Sequence, residues 1–404
     1  MKVLLLTIAN KKSQKMNRDI ALEFMKNGHE VFIVCPADDI NKPSNSFKKI
    51  EDLNYLFVKT GYSAGKVNII KKIYNMMTID FYYKKAIKKA KLSNVNLILY
   101  STPPITLVNT ISWAKKNFHA KTYLMLKDIF PQNAVDMGMM KNRGPMKFIW
   151  SYFRKKEKKL YNISDFIGCM SQGNCDYILK NNDELKAKQV GLCVNSYANK
   201  SVTIIDKEVV REKYDIPEGK TIFIYGGNLG KPQGLDFFVD IMKSNQTKDD
   251  RYFVICGGGN EQSKIINYIS NEKPNNVKYI SSIPADEYDQ LLSACDVGLV
   301  FLDNRFTIPN FPSRILSIML NEKPVLAATD ISTDLGVVIE TANIGWWCRS
   351  GDLHTFNNYL DEICNNKHLI IEKGKKSREL FEEKYTSEVA YNQIIEGLMK
   401  IGEK

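Results

Sequence analysis

The run Thr221-Ile-Phe-Ile passes straight into YGGNLGKPQGLD (225–236), a stretch holding Gly226, Gly227, Gly230 and Gly234. A short apolar run closed by turn residues reads as a buried strand. The glycines read as a tight turn, and the periodic residues beyond as an amphipathic helix. Such a strand–turn–helix lets backbone N–H groups and a helix N-terminus approach a phosphate, and Lys231 adds a positive charge beside it. A chain built this way is an α/β protein. The turn lies in the middle of the sequence, where a dinucleotide fingerprint at the N-terminus would not be, so a second folding unit carries it.

The same alternation runs through the chain. Residues 3–8, 28–35, 96–100, 121–126 and 166–170 read as strands of a first half, with a helix over 16–27 and a helix start at Ser171-Gln-Gly. Residues 221–225, 252–256, 277–280, 297–301 and 324–328 repeat the pattern in a second. Strands alternating with helices predict parallel sheets covered on both faces. The 404 residues exceed what one core comfortably serves, and periodicity lapses over 195–205. The expectation is two doubly wound, Rossmann-like domains facing across a cleft, 1–198 and 199–385. A last helix within 386–404 is expected to cross back to the first domain. Ligands belong at the carboxyl ends of the strands.

Charge separates the halves. Residues 1–200 hold 34 basic and 15 acidic residues, a net +19, whereas the remainder holds 23 and 30, a net −7. No stretch approaches the roughly 18 apolar residues of a membrane span. The start MKVLLLTIAN reads as a strand, since a signal peptide needs a longer apolar core. Eight scattered cysteines without a C-x-x-C pair read as buried, reduced thiols of a cytoplasmic protein. Four dispersed histidines argue against a zinc site, and no metal ligand or cofactor is assigned. Residues 66–92 and 141–161 interleave lysines with Tyr, Phe, Trp, Met and Ile. Three readings stay open for them: a helix lying in an anionic membrane interface, a solvated lysine face, or a nucleic-acid surface.

Several segments in order resemble one family. GHEV (28–31), YGGNLGKPQGLD, VICGGGNE (254–261), ISSIPADEYDQLLSACDVGLV (280–300) and FPSRILSIMLNEKPVLAATD (311–330) look like the family-4 glycosyltransferases of GT-B fold. KDIFPQNAVDMG (127–138) is similar to a run found in their bacterial O-antigen, capsule and exopolysaccharide members. The resemblance spans essentially the full length. It implies a donor site for a nucleotide sugar, with Gly227, Asn228, Lys231 and Gln233 in one wall and Gly257, Gly258, Gly259 and Glu261 in a second. Ile283 and its neighbours would lie against the base. Ser313, Arg314 and Ile315, at a helix start, would meet the diphosphate. Lys231 and Arg314 would stabilise charge on the leaving nucleotide. Lys127 would assist the departing phosphate, and Asp128 would orient an acceptor hydroxyl or the donor sugar. Structural readings of the same residues are a cap for Ser313, a surface charge for Arg314 and a loop ion pair for Lys127 and Asp128. His29, at a helix-to-strand turn, reads as structural.

Departures from the wider family are equally specific. Its two glutamates, eight positions apart, fall on Pro309 and Ser317 here, and Glu322 and Asp330 lie too far along to replace them by spacing. Asn228 and Gln233 stand where the wider family has basic residues, and Lys127 stands where many members have His. The resemblance implies a retaining transferase, and the absence of glycosidase-like paired carboxylates favours front-face displacement. The Asp-x-Asp metal signal is missing. The expected protein moves a sugar, from a UDP-sugar by preference, to a lipid-linked saccharide. It would work as a cytoplasmic protein held peripherally at an anionic inner membrane face, with no nucleic-acid partner. The alternatives are a nucleotide-sugar epimerase of the same fold and a non-catalytic membrane partner of a true transferase.

Overall fold

The structure, a computed structural model, describes residues 1–11, 14–37, 45–60, 69–201 and 206–402; the side chains of 69–74, 76 and 77 are outside the description. Much of the basic segment 66–92, and part of the stretch 195–205, therefore lies outside the described residues. The chain divides into two compact units: Met1–Ala198 with Thr386–Lys404, and Asn199–Tyr385.

The first unit holds β1 (Lys2–Leu6), β2 (Glu30–Pro36), β3 (Ser46–Ile50), β4 (Leu53–Val58), β5 (Leu97–Ser101), β6 (Lys121–Leu126), β7 (Phe166–Cys169) and β8 (Val190–Leu192). They form one sheet in the order β3-β4-β2-β1-β5-β6-β7-β8. The wholly parallel sheet expected from the sequence needs one correction, because β3 runs antiparallel to β4. Its sequence Ser-Phe-Lys-Lys-Ile is largely exposed, as suits an edge strand that lysines protect from further pairing. β1 lies between β2 and β5, so the strand order reverses there and the crevice opens at the carboxyl ends of β1 and β5.

The helix Ser387–Gly402 belongs to this first unit. Its Tyr391 ring meets Phe24 edge-on at 4.9 Å, and the hydroxyl shares a hydrogen bond of 3.0 Å with His29 Nε2. Gln393 Oε1 accepts from the Val194 amide at 2.9 Å. A bridge between Tyr197 and Thr386, with Ser387 N donating to Tyr197 O, fastens its start.

The second unit holds β9 (Thr221–Gly226), β10 (Arg251–Cys256), β11 (Val277–Ile280), β12 (Val297–Phe301), β13 (Val325–Thr329) and β14 (Gly345–Arg349). All pairs are parallel, in the order β11-β10-β9-β12-β13-β14. The chain winds outward from β9 to β11, returns beside β9 as β12, and winds outward again. The switch point therefore lies between β9 and β12. Phe223, Tyr225, Phe238, Phe253, Phe301 and Phe356 fill the core beneath, and Phe238 stacks on Phe301 at 4.7 Å. Each such ring removed from water contributes about 1.5–3 kcal/mol. Arg251 is buried with them, held by Asp250, Asp361 and Asn245. Seven of the eight cysteines are buried and none forms a disulfide among the described residues.

Candidate active site

Two glycine turns meet at the carboxyl ends of β9 and β10. Gly227 N donates to Cys256 O at 2.9 Å, Leu229 N to Gly258 O at 3.0 Å, and Glu261 N to Leu229 O at 3.0 Å. Side chains are excluded from this seam. A Cβ on Gly257 would lie 1.9 Å from Gly227 O, and one on Gly259 would lie 2.2 Å from Leu229 O. Gly227 and Gly257 also take φ of +119° and +148°, which side-chain-bearing residues rarely adopt. The backbone N–H groups of Asn228 and Gly258 donate to nothing among the described residues. Gly234, at φ +57°, ends the turn and opens the helix Leu235–Ser244, where the Phe237 amide bonds Gly234 O at 3.1 Å and the Leu235 and Asp236 amides find no acceptor among the described residues. Unengaged amides at the mouth of a parallel sheet make a seat for an anion.

Cations border this seat. The Arg314 guanidinium lies over the Tyr225 ring at 4.6 Å and reaches Gly226 O at 3.4 Å. The same Tyr225 hydroxyl donates to Asn228 O at 2.7 Å. One buried ring thus sets both the arginine and the turn. Gln233 Oε1 accepts from Gly230 N and Asn228 Nδ2, at 3.1 and 3.2 Å, so both amide residues of the turn hold its shape. Lys231 makes no ion pair among the described residues. Asp303 N bonds Pro232 O at 2.9 Å, tying β12's end to the turn.

The first unit gathers Lys127 and Asp128 at the carboxyl end of β6. Thr102 Oγ1, beyond β5, receives the amides of both, at 3.1 and 3.2 Å, and donates to Asp128 O at 3.0 Å. The two side chains do not pair with each other. Lys127 Nζ lies 3.7 Å from Met16 Sδ in the helix Lys15–Lys26, and burial holds its pKa below the usual lysine value. Burial likewise raises Asp128 to about 6, against hydrogen bonds from the Ile129 amide and Asn133. Asn133 Nδ2 donates to both carboxylate oxygens at 2.7 Å. A lysine depressed and an aspartate raised are groups brought nearer to proton exchange at neutral pH.

The sequence model of the family described as glycosyl transferases group 1 matches residues 206–384. Residues 206–384 are a glycosyl transferases group 1 domain. A probable glycosyltransferase of Pseudomonas aeruginosa, WbjE, is 24% identical over 272 residues, 67% of this chain and 66% of that relative. The match thus spans just under two thirds of the relative's own length. Among solved structures, sucrose-phosphate synthase of Thermosynechococcus elongatus superposes with a TM-score of 0.77 at 14% identity, covering 99% of each chain. Anabaena Alr3699/HepE in complex with UDP-glucose gives 0.70 at 16%, again over 99% of each. The fold is GT-B.

Within the group 1 domain, the remaining expected residues fall into place unevenly. Glu261 is paired with Lys264 at 3.0 Å, which itself holds Asp236 at 2.8 Å. Ile283 is partly exposed in the loop between β11 and the helix Ala285–Ala294. Ser313 precedes the helix Arg314–Leu320 with helical dihedrals and makes no side-chain cap bond. Ile315 needs correction as a ligand contact. Its side chain is fully buried and its amide already bonds Pro312 O at 3.2 Å, because the helix turns that face into the core.

Neither Glu322 nor Asp330 fills the place of the absent glutamates. Glu322 sits in a turn before β13, at the opposite end of the sheet. Asp330 is buried, receives the Ser332 and Thr333 amides at 2.8 Å and the Thr333 hydroxyl at 3.0 Å, and is held above its usual pKa by burial. That loop braces the Asn310 amide through Thr333 Oγ1 at 3.1 Å.

Sequence reasoning passed over Asp303 and Arg305. Both Asp303 oxygens engage Arg305, at 2.7 Å each, beside the switch point. Burial alone would raise Asp303, but Arg305 outweighs it and the carboxyl stays below its ordinary value. The signal was present as Asp-Asn-Arg directly after an apolar strand. Gln14 was also missed. It precedes the helix that carries Met16, is 2% exposed, and neither side-chain amide atom has a partner among the described residues.

Proposed function

We propose that the chain is a retaining glycosyltransferase that moves a sugar from a nucleoside diphosphate, by preference UDP, to a hydroxyl of a lipid-linked saccharide in surface-polysaccharide synthesis. The observation that carries the reading is the seam of two glycine turns with Arg314 stacked on Tyr225 beside unengaged amides. A diphosphate there accepts from the Asn228 and Gly258 amides, while Lys231 and Arg314 offset charge as the sugar departs. The Anabaena protein of like fold binds UDP-glucose, which supports a UDP-sugar as donor. The second unit takes the donor and the first receives the acceptor. In the first unit Asp128 orients the acceptor hydroxyl and Lys127 assists the phosphate. No paired carboxylates announce a covalent intermediate, and displacement on the sugar's front face fits the residues best.

Membrane attachment is part of the reading. Residues 141–149 are exposed throughout, and Phe148 (83% exposed), Ile149, Met146 and Tyr152 stand among Lys141, Arg143, Lys147 and Lys155. Among the described residues no helix is long and apolar enough to cross a membrane. An apolar knuckle ringed by cations suits the cytoplasmic, anionic surface of a bilayer.

The test is release of UDP from UDP-sugars with a membrane-lipid extract as acceptor pool. Turnover that needs the extract and fails in Arg314→Ala supports the proposal. A non-catalytic partner is the second reading, favoured by Pro309 and Ser317 at the glutamate positions. Donor binding without turnover on any acceptor pool would decide for it.

A further inference from the structure

A cavity of about 580 Å³ opens at the other end of the second sheet, between the amino ends of β9, β12 and β13 and the helices Lys207–Lys213 and Lys367–Lys384. It lies at the sheet end opposite the glycine turns, and its size is within the roughly 300–1,000 Å³ of small-molecule sites. Lys207, Arg211, Lys220, Lys323 and Lys367 line it against only Asp296 and Glu322. This concentration is local, since residues 201–404 carry a net −7.

The acids do not neutralise the bases. Asp296 is consumed within the wall: both its oxygens accept from Arg211 Nη2 at 3.2 Å, and one accepts the Ile222 amide at 2.8 Å. Glu322 is exposed and makes no ion pair among the described residues. Lys323 is only 9% exposed, and its ammonium has one neutral partner, Ser293 O at 2.8 Å. An ammonium carries three donors, and burying it without a counter-charge is costly. Burial, with Lys207 adding to it, outweighs the opposing pull of the Arg211-bound Asp296 and pushes this lysine down to about 8. Lys207, Lys220 and Lys367 likewise form no ion pair among the described residues. Ile370 and Ile371 give the cavity one apolar side.

We propose that this cavity is a second anion site, binding a phosphate-bearing ligand with Lys323 as its buried anchor and Lys207 and Lys367 at its rim. The ligand's phosphate supplies the charge that Lys323 lacks, and an organic portion rests on the two isoleucines. The site does not depend on the donor reading of the glycine turns.

Calorimetry on the full chain, at saturating UDP and constant ionic strength, tests it with inorganic pyrophosphate as probe. One further site is expected, unchanged in Arg314→Ala and weakened at least tenfold in the exposed-rim double variant Lys207→Glu/Lys367→Glu. Lys323→Met should weaken it similarly, with melting curves confirming that each variant is folded. Co-sedimentation with phosphatidylglycerol vesicles, read in a Lys141→Glu/Arg143→Glu/Lys147→Glu background so that the exposed segment of the first unit does not mask it, distinguishes the source. Loss of vesicle binding in the rim double variant identifies a lipid headgroup, and loss of pyrophosphate binding alone identifies a soluble anion. If the double variant retains both pyrophosphate and vesicle binding, or no further site is found by either measurement, the proposal is overturned.

Discussion

Replacing Gly259 by alanine tests the seam between the two glycine turns. The added Cβ would lie 2.2 Å from Leu229 O, where ordinary contact begins at 3.4 Å, and the obstacle is backbone. The turns must separate by about 1.2 Å, enough to stretch both the Leu229 N–Gly258 O and Glu261 N–Leu229 O bonds from 3.0 Å past useful length. Each contributes about 1 kcal/mol net, so a loss of about 2 kcal/mol is expected. In a unit of this size that lowers the melting temperature by about 4–8 °C. Binding suffers separately, because the Asn228 and Gly258 amides move relative to one another. Losing one charge-assisted hydrogen bond costs about 1.5–3 kcal/mol, or roughly 10- to 150-fold in UDP affinity. Gly258→Ala is the control: its Cβ would meet only Gln262 Oε1 at 3.2 Å, the far end of a flexible side chain that accepts from Gly259 N at 3.3 Å and can shift at the cost of that one long bond. Calorimetric titration of UDP into both variants reads the difference. Equal weakening in the two, or wild-type affinity in Gly259→Ala, refutes the assignment of the seam to phosphate binding.

Three further outcomes are expected. Asp128 holds its proton more tightly folded than unfolded, so the chain loses stability as pH rises from near 4 towards 6; Asp128→Asn should gain melting temperature relative to wild type across that window, and a pH-independent difference would count against it. Arg251→Met strips a buried guanidinium from Asp250, Asp361 and Asn245 and should cost about 3 kcal/mol in urea unfolding; a cost under about 1 kcal/mol would show that the cluster is not cooperative. Reversing Lys141, Arg143 and Lys147 together removes about 1 kcal/mol of attraction each, so binding to anionic vesicles should fall at least a hundredfold. Arg154 is left intact in that variant, because it is bound to Glu157 and Asn182 within the fold. Unchanged sedimentation would end the membrane reading of this segment.

Strands that are buried on both faces were legible in the sequence to within a residue or two: β9, β10, β12 and β13 are largely continuous apolar runs, and such runs have few alternatives. β3 escaped because two lysines face solvent in a five-residue edge strand, and β8 because three residues carry no period. β14, Gly-Trp-Trp-Cys-Arg, was passed over although it pairs along its whole length with β13. In the site, glycines announced the turns because backbone approach demands them. The Tyr225 platform under Arg314 was not legible, since residues 89 positions apart meet only through the return of β12 beside β9. Asp303 with Arg305 was local and readable, but a carboxylate after a strand has many structural uses. Ile315 was misjudged because sequence places it at a helix start without saying which way that start faces.

The bridge between Tyr197 and Thr386 makes the second unit an insert rather than a tail. Its chain leaves and re-enters the first unit at neighbouring backbone positions, about 5 Å apart for bridged strands. A linker of a few residues from Ala198 to Thr386 would therefore close the first unit with its last helix in place, while truncation after Ala198 would strip Tyr391 and Gln393 from their partners. Residues 199–385 become an exchangeable cassette, open to grafting between relatives or to circular permutation without disturbing either sheet.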